Sequence, residues 1–252
     1  MKQEQLSQYF QRIGYTGGKD PTLASLKALQ AAHAYSIPFE TFDIALGIPI
    51  VLELENIFDK LVAKKRGGYC YEVNALLHFA LQSLGFKSKL CLARLMDENQ
   101  NILPASVHMV VIANLEEQWL VDVGWGSGFV HPFCIDIPTM QHGYRIAQDD
   151  DGYIFYREDK KLYRFTLDEY PLSFFEARNQ FHQTSPDSPF ADEVTCSLPT
   201  PQGGFKMIRG RVFTTKSGDE QKECCIETDE EYRSLLLNQF QLVLDNFPLV
   251  FR

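Results

Sequence analysis

The apolar residues change their spacing at Gly85, and that change bounds the folds open to the chain. Before it they recur at helical intervals. Leu6, Phe10 and Ile13 stand at i, i+4 and i+7; Leu23, Leu26, Leu29 and His33 line one face after Asp20-Pro21, which reads as an N-cap followed by a first-turn proline. Leu54, Ile57, Phe58 and Leu61 mark a third helix over 53–62. Val73, Leu76, Leu77, Ala80, Leu81 and Leu84 mark a fourth from about Cys70, stopped by Gly85. After Gly85 the period becomes two. Segments 89–95, 107–113, 118–123, 131–135, 143–147, 153–157 and 162–166 read as strands, and their close spacing predicts a barrel or a strongly curled antiparallel sheet. A short helix is expected around 168–181 and loop over 182–203. Strands follow near 204–215 and 222–227. The final helix opens at Thr228 with Glu231 three residues on, the pattern of a capping box. Helices, then strands, then a mixed tail define an α+β chain with segregated parts.

Composition removes several classes of function. At 252 residues and 45% hydrophobic content the chain can bury a sizeable core. A formal net charge of -9 argues against non-specific binding to nucleic acid or to an anionic membrane. The polar start, Met1 to Gln8, has no apolar core of a signal peptide, and no apolar run approaches the ~18 residues of a membrane span. Six cysteines contain no C-x-x-C pair, so neither a zinc framework nor a disulfide scaffold fits. Cys91, Cys134 and Cys196 read as small buried hydrophobes, and a reducing cytoplasm is the expected compartment.

Chemistry concentrates in Arg66-Gly67-Gly68-Tyr69-Cys70-Tyr71-Glu72-Val73-Asn74. A cysteine at a helix start meets free N–H groups and the positive end of the helix dipole, both of which favour a thiolate. The glycines are expected to take unusual dihedrals and to leave room for a substrate. Glu72 in the first turn opposes a thiolate, and reads as a partner for Arg66 or for a backbone N–H. His108 lies in an apolar strand, and Asp122 is a lone carboxylate in Trp119-Leu120-Val121-Asp122-Val123-Gly124. Each of the three also has a plain structural reading, as a core cysteine, a satisfied core histidine and a paired core carboxylate. A turn at 114–117 puts 108 and 122 on one hairpin, so Asp122 can orient His108 and His108 can take the thiol proton. Asp97 and Glu98 are the alternatives for the third member. His78, two helical turns beyond Cys70, stands ~12 Å away and cannot reach the thiol. Arg66 could hold a phosphate, but is expected to pair with Glu40 or Glu72 and fix the loop that carries Cys70.

These motifs resemble those of the arylamine N-acetyltransferases. Residues 66–74 look like that family's nucleophile signature. The segments Tyr9 to Gly17, Ile37-Pro38-Phe39-Glu40, Val107-His108-Met109, Val121 to Gly126, Asn179 to Phe190 and Pro199-Thr200-Pro201 match its other landmarks in order. The resemblance implies a helical bundle over 1–85 carrying Cys70, a central antiparallel β-barrel over 86–190 carrying His108 and Asp122, and a C-terminal α/β lid over 191–252. It implies a ping-pong reaction without a metal, in which Cys70 takes an acetyl group from acetyl-CoA and an arylamine, hydrazine or N-hydroxyarylamine accepts it. It also implies Phe39 and Trp125 as walls of the acceptor pocket. Departures are Trp125 where Phe is usual, Thr41 where Asn is common, Ser185 where His precedes Pro, and a somewhat short C-terminus. Other classes stay open. A transglutaminase-like or protease-like amide hydrolase uses the same three residue types, although the 38 residues from 70 to 108 are far fewer than the ~130–150 of papain-type enzymes. A binding protein that keeps the scaffold is the third reading.

Overall fold

The computed structural model describes residues 1–97, 99, 101–126 and 128–244. Helix α1 (Gln3–Ile13) buries Leu6, Tyr9, Phe10 and Ile13, as its spacing predicts. Helix α2 (Leu23–Ser36) begins later than Asp20-Pro21 suggests. Its cap is Thr22, whose hydroxyl accepts the Ser25 N–H at 3.2 Å, so the proline lies outside the helix. A two-residue strand, β1 (Phe39–Glu40), and a short helix, α3 (Phe42–Leu46), come next. The helix expected over 53–62 is α4 (Leu54–Phe58) continued by a π-helical turn at Asp59–Ala63. Helix α5 (Cys70–Ser83) buries every residue from Cys70 to Leu81 except Phe79. A helix buried on all sides sits at the centre of its bundle. Each of its buried leucines contributes roughly 1.5–3 kcal/mol.

The central sheet contains β2 (Lys87–Met96), β3 (Ile102–Asn114), β4 (Gln118–Val121), β5 (Phe133–Cys134), β6 (Tyr144–Asp149), β7 (Gly152–Arg157) and β8 (Lys160–Phe165). All neighbours are antiparallel in the order β5-β4-β3-β2-β8-β7-β6. The two edges curl toward each other. The Phe133 and Tyr144 rings stand 5.4 Å apart, and the Gln141 amide accepts from the Cys134 N–H and donates to the Cys134 carbonyl, both at 2.8 Å. The result is a nearly closed barrel filled by Phe129, Phe133, Phe155 and Tyr163.

A 3-10 turn (Leu172–Phe175) leads into α6 (Glu176–Thr184), later than the helix expected over 168–181 because Pro171 delays its start. The last sheet adds β9 (Thr195–Thr200), β10 (Gly204–Arg209), β11 (Val212–Ser217) and β12 (Glu220–Cys225), covered by α7 (Asp229–Phe240). Strand β9 corrects the expectation of loop through 203. Its Pro199 lies beyond the two residues that β1 pairs with, where β9 is an edge on that side and needs no N–H donor. At the start of α7 the Thr228 hydroxyl accepts the Glu231 N–H, while the Glu231 carboxylate takes the N–H of Glu227 rather than of Thr228 itself. All six cysteines are free thiols; Cys91, Cys134 and Cys196 are buried, as expected. No helix among the described residues is long and apolar enough to cross a membrane.

Candidate active site

Cys70 is the first residue of α5, and the segment that follows β4 is laid directly against it. A Cβ on Gly124 would fall 2.8 Å from the Cys70 Cα and 2.9 Å from its Cβ, so only glycine lets the two elements touch. Gly67 and Gly68 are required for a related reason, not the one expected. Neither has a positive φ. A Cβ on Gly67 would stand 2.3 Å from the Pro38 carbonyl oxygen, and one on Gly68 would meet Glu72 at 2.9 Å. The Glu40 N–H donates to the Gly68 carbonyl at 3.0 Å, and the Gly68 N–H to Pro38 at 3.2 Å. The glycines therefore let the loop before Cys70 lie flat on β1.

The hairpin of β3 and β4 brings His108 and Asp122 to this helix end. His108 Nε2 is 2.8 Å from Asp122 Oδ2, and the ring lines the same cavity as Cys70. All three side chains are buried. Burial alone would push His108 down, but the Asp122 carboxylate, aided by its hydrogen bond to the ring and by the nearby Cys70, raises it to about 10. Asp122 is itself fully engaged. Its Oδ1 accepts from the Asn74 amide at 2.9 Å and the Gly124 N–H at 2.8 Å, and its Oδ2 accepts the Tyr163 hydroxyl at 3.3 Å. Asn74 also accepts the Val123 N–H at 2.9 Å and donates to the Met109 carbonyl at 2.7 Å, tying α5 to both strands of the hairpin. Asp97 is not near this group; it accepts the Asn101 N–H within its own turn. Glu98 lies outside the described residues.

Phe39 and Trp125 both face Cys70 and His108 across a cavity of about 190 Å³, closed by Leu95, Val107, Pro189 and Phe190. The Trp125 ring stacks on Phe129 at 17° and meets His108 edge-on at 5.9 Å. His182 on α6 also lines the cavity. Burial, then the nearby Arg178 charge, pushes it down to about 4, so it stays neutral near pH 7.

Behind the loop lies a buried charge cluster. Arg66 pairs with Glu40 at 2.7 Å and with Asp43 at 2.8 Å. Glu40 is thus the expected partner and Glu72 is not. The Glu72 carboxylate accepts the Tyr69 N–H at 3.1 Å and pairs with Lys60 at 2.9 Å. Lys60 also pairs with Asp43 at 2.8 Å. Sequence reasoning missed Lys60, Tyr163, His182 and the role of Asn74. Only Asn74 left a signal: four residues after Cys70, it shares that residue's helix face.

A family model described as N-acetyltransferase matches residues 22–250, which sets the class. Within it, the arylamine N-acetyltransferase of Mycolicibacterium smegmatis is 32% identical over 254 residues, covering 95% of this chain and 92% of its own. That of Escherichia coli (strain K12) is 32% identical over 219 residues, covering 83% and 78%. The solved arylamine N-acetyltransferase of Salmonella typhimurium superposes with a TM-score of 0.88 at 28% identity, over 96% of this chain and 92% of that one. The Mycobacterium marinum enzyme in complex with CoA does so with a TM-score of 0.86 at 28% identity, over 94% and 92%. The chain belongs to the arylamine N-acetyltransferase family. It is an acyltransferase, and the amide-hydrolase and binding-protein readings fall away.

Proposed function

We propose that this chain transfers acetyl groups from acetyl-CoA to aromatic amines, hydrazines or N-hydroxyarylamines in two half-reactions on Cys70. The carrying observation is a buried cysteine at a helix start that shares a small aromatic-walled cavity with a hydrogen-bonded histidine–aspartate pair. One proton is shared between Cys70 and His108, and the pull of Asp122 favours its residence on the imidazole. The thiolate attacks the acetyl carbonyl, and the N–H groups of Cys70 and Tyr71 at the start of α5 receive the developing oxyanion; the Glu72 N–H is already given to the Tyr69 carbonyl. As the bond from the acetyl carbon to the CoA sulfur breaks, His108 gives its proton to the departing thiol, leaving the acetyl group on Cys70. The now neutral His108 next takes a proton from the attacking amine. The carbonyl–Sγ bond then breaks and the amide leaves.

Phe39 and Trp125 would bracket the acceptor ring in a cavity of about 190 Å³, slightly larger than the ~150 Å³ cavity that holds benzene elsewhere. A second cavity of about 370 Å³ shares those two walls and continues to Met207 and Arg209, which suits a long acyl-carrier arm with Arg209 toward its phosphates. Six free thiols, two of them exposed, fit a reducing cytoplasm. Intact mass after incubation with acetyl-CoA tests the reading. A single acetyl adduct is expected, absent in Cys70→Ala and discharged by an arylamine. No adduct, with no CoA released when an arylamine is present, would sink it. An adduct lost to water as fast as to amine would restore a hydrolase.

A further inference from the structure

We propose that Lys60 is a positioning residue for Cys70, whose ammonium cancels the negative charge that Glu72 would otherwise hold beside the nucleophile. The inference rests on Cys70 being the acetylated thiol. Glu72 stands in the first turn of the helix that Cys70 begins, is almost fully buried, and is bonded to the N–H of Tyr69, the residue next to Cys70. A bare carboxylate in that place disfavours a thiolate nearby. Lys60 Nζ lies 2.9 and 3.0 Å from its two oxygens. Arg66 cannot substitute, because its contacts go to Glu40 and Asp43. Among the described residues Lys60 is the one cation paired with Glu72.

The backbone is shaped to put it there. Residues 59–63 form a π-helical turn, closed by the Lys64 N–H on the Asp59 carbonyl, and such turns are often found at functional sites. The Lys60 carbonyl accepts the Arg66 N–H at 3.0 Å, so the same residue also anchors the loop leading to Cys70. Other ionisable groups surround both ends. Cys70 is faced by His108 from the barrel, by His182 from α6, and by Tyr69 and Tyr71 beside it; Asp122 and Tyr163 lie behind His108, and Glu176 and Arg178 of α6 behind the tyrosines. The Lys60–Glu72 pair is faced by Asp43, Glu40 and Arg66, with Cys196 of β9 beyond them, and by Asp59 and Lys64 at the mouth of a cavity. That cavity, about 290 Å³, reaches Lys60, Glu72 and Asp43 from the side of the loop away from the acceptor pocket. Shortening Lys60 would therefore leave a space open to small solutes.

The test uses the full chain and reads iodoacetamide alkylation of Cys70 against pH by peptide mass. Lys60→Ala should displace the alkylation profile about one unit to higher pH, read as a roughly tenfold slowing on its rising limb. Ethylammonium should restore the rate and ethanol should not; Lys60→Ala/Glu72→Gln should recover it without any additive. Glu72→Gln alone, which keeps Lys60 for folding, should move the profile to lower pH. A Lys60→Ala protein that melts lower but keeps the wild-type profile overturns the proposal. So does a Glu72→Gln profile that does not move, even if Lys60→Ala fails to fold. Failure of wild-type Cys70 to take an acetyl group refutes the parent reading instead, whatever these profiles show.

Discussion

Asp122 holds four hydrogen bonds on two oxygens, and each of its partners comes from a different place in the chain. Asn74 is the partner on which most else depends. Asn74→Ala would strand the buried Val123 N–H and remove donors from Asp122 and Met109, at about 1–3 kcal/mol for each group left unsatisfied. Chemical denaturation should show the loss, and Cys70 alkylation should slow with it. Tyr163→Phe removes only the longest of the four bonds and should cost under about 1 kcal/mol. His108 makes a pH prediction. Its native value is raised to about 10, so the stability it contributes is complete below its unfolded value near 6.5 and is lost as pH rises through about 10. Unfolding free energies for wild type should therefore approach those of His108→Gln over that window, and parallel curves would contradict a protonated native His108. Cys70, His108 and Asp122 could be singled out in the sequence because each breaks a local pattern: a cysteine after two glycines, a histidine and a carboxylate in apolar strands. Tyr163 and Lys60 break no pattern, since an aromatic in a strand and a lysine on a helix are ordinary, and only the tertiary fold turns them toward the site.

At the scale of elements, the loop before α5 is held more by charge than by its own conformation. Arg66→Ala leaves Glu40 buried without its cation, and breaking such a pair costs about 3–5 kcal/mol. A fall in melting temperature alongside the fall in activity is expected; unchanged thermal stability would mean that Lys60 alone carries the cluster. The long periodic helices and the strand-rich middle could be read from spacing. Their ends could not. The cap of α2 moved from Asp20 to Thr22 because a hydroxyl two residues on found the Ser25 N–H. Strand β9 was hidden by Pro199, tolerated only because its neighbour β1 is two residues long. The π-helical turn after α4 has no sequence signature, since one extra residue in a helical turn leaves the apolar period nearly intact.

Across the whole molecule, the cavity is built from three distant stretches of chain: Phe39 and Cys70 from the helical part, His108 and Trp125 from the barrel, and Pro189 and Phe190 from the segment after α6. Acceptor size should follow from the indole. Trp125→Phe removes the larger ring stacked on Phe129 and should raise kcat/KM for two-ring amines several-fold relative to one-ring amines, read from steady-state kinetics at fixed acetyl-CoA. An unchanged ratio would place the size limit elsewhere on the wall.

Strand β1 joins the Gly68 backbone on one side and β9 on the other, and Thr41 adds to the seam by accepting the Thr195 N–H at 3.0 Å. The lid is consequently not an exchangeable module. A C-terminal segment grafted from a relative would bring its own strand register opposite Phe39, and with it a new position for one wall of the cavity beside Cys70. A changed register in β9 would thus move Phe39, and the cavity wall it forms, without a substitution in any residue that lines the cavity.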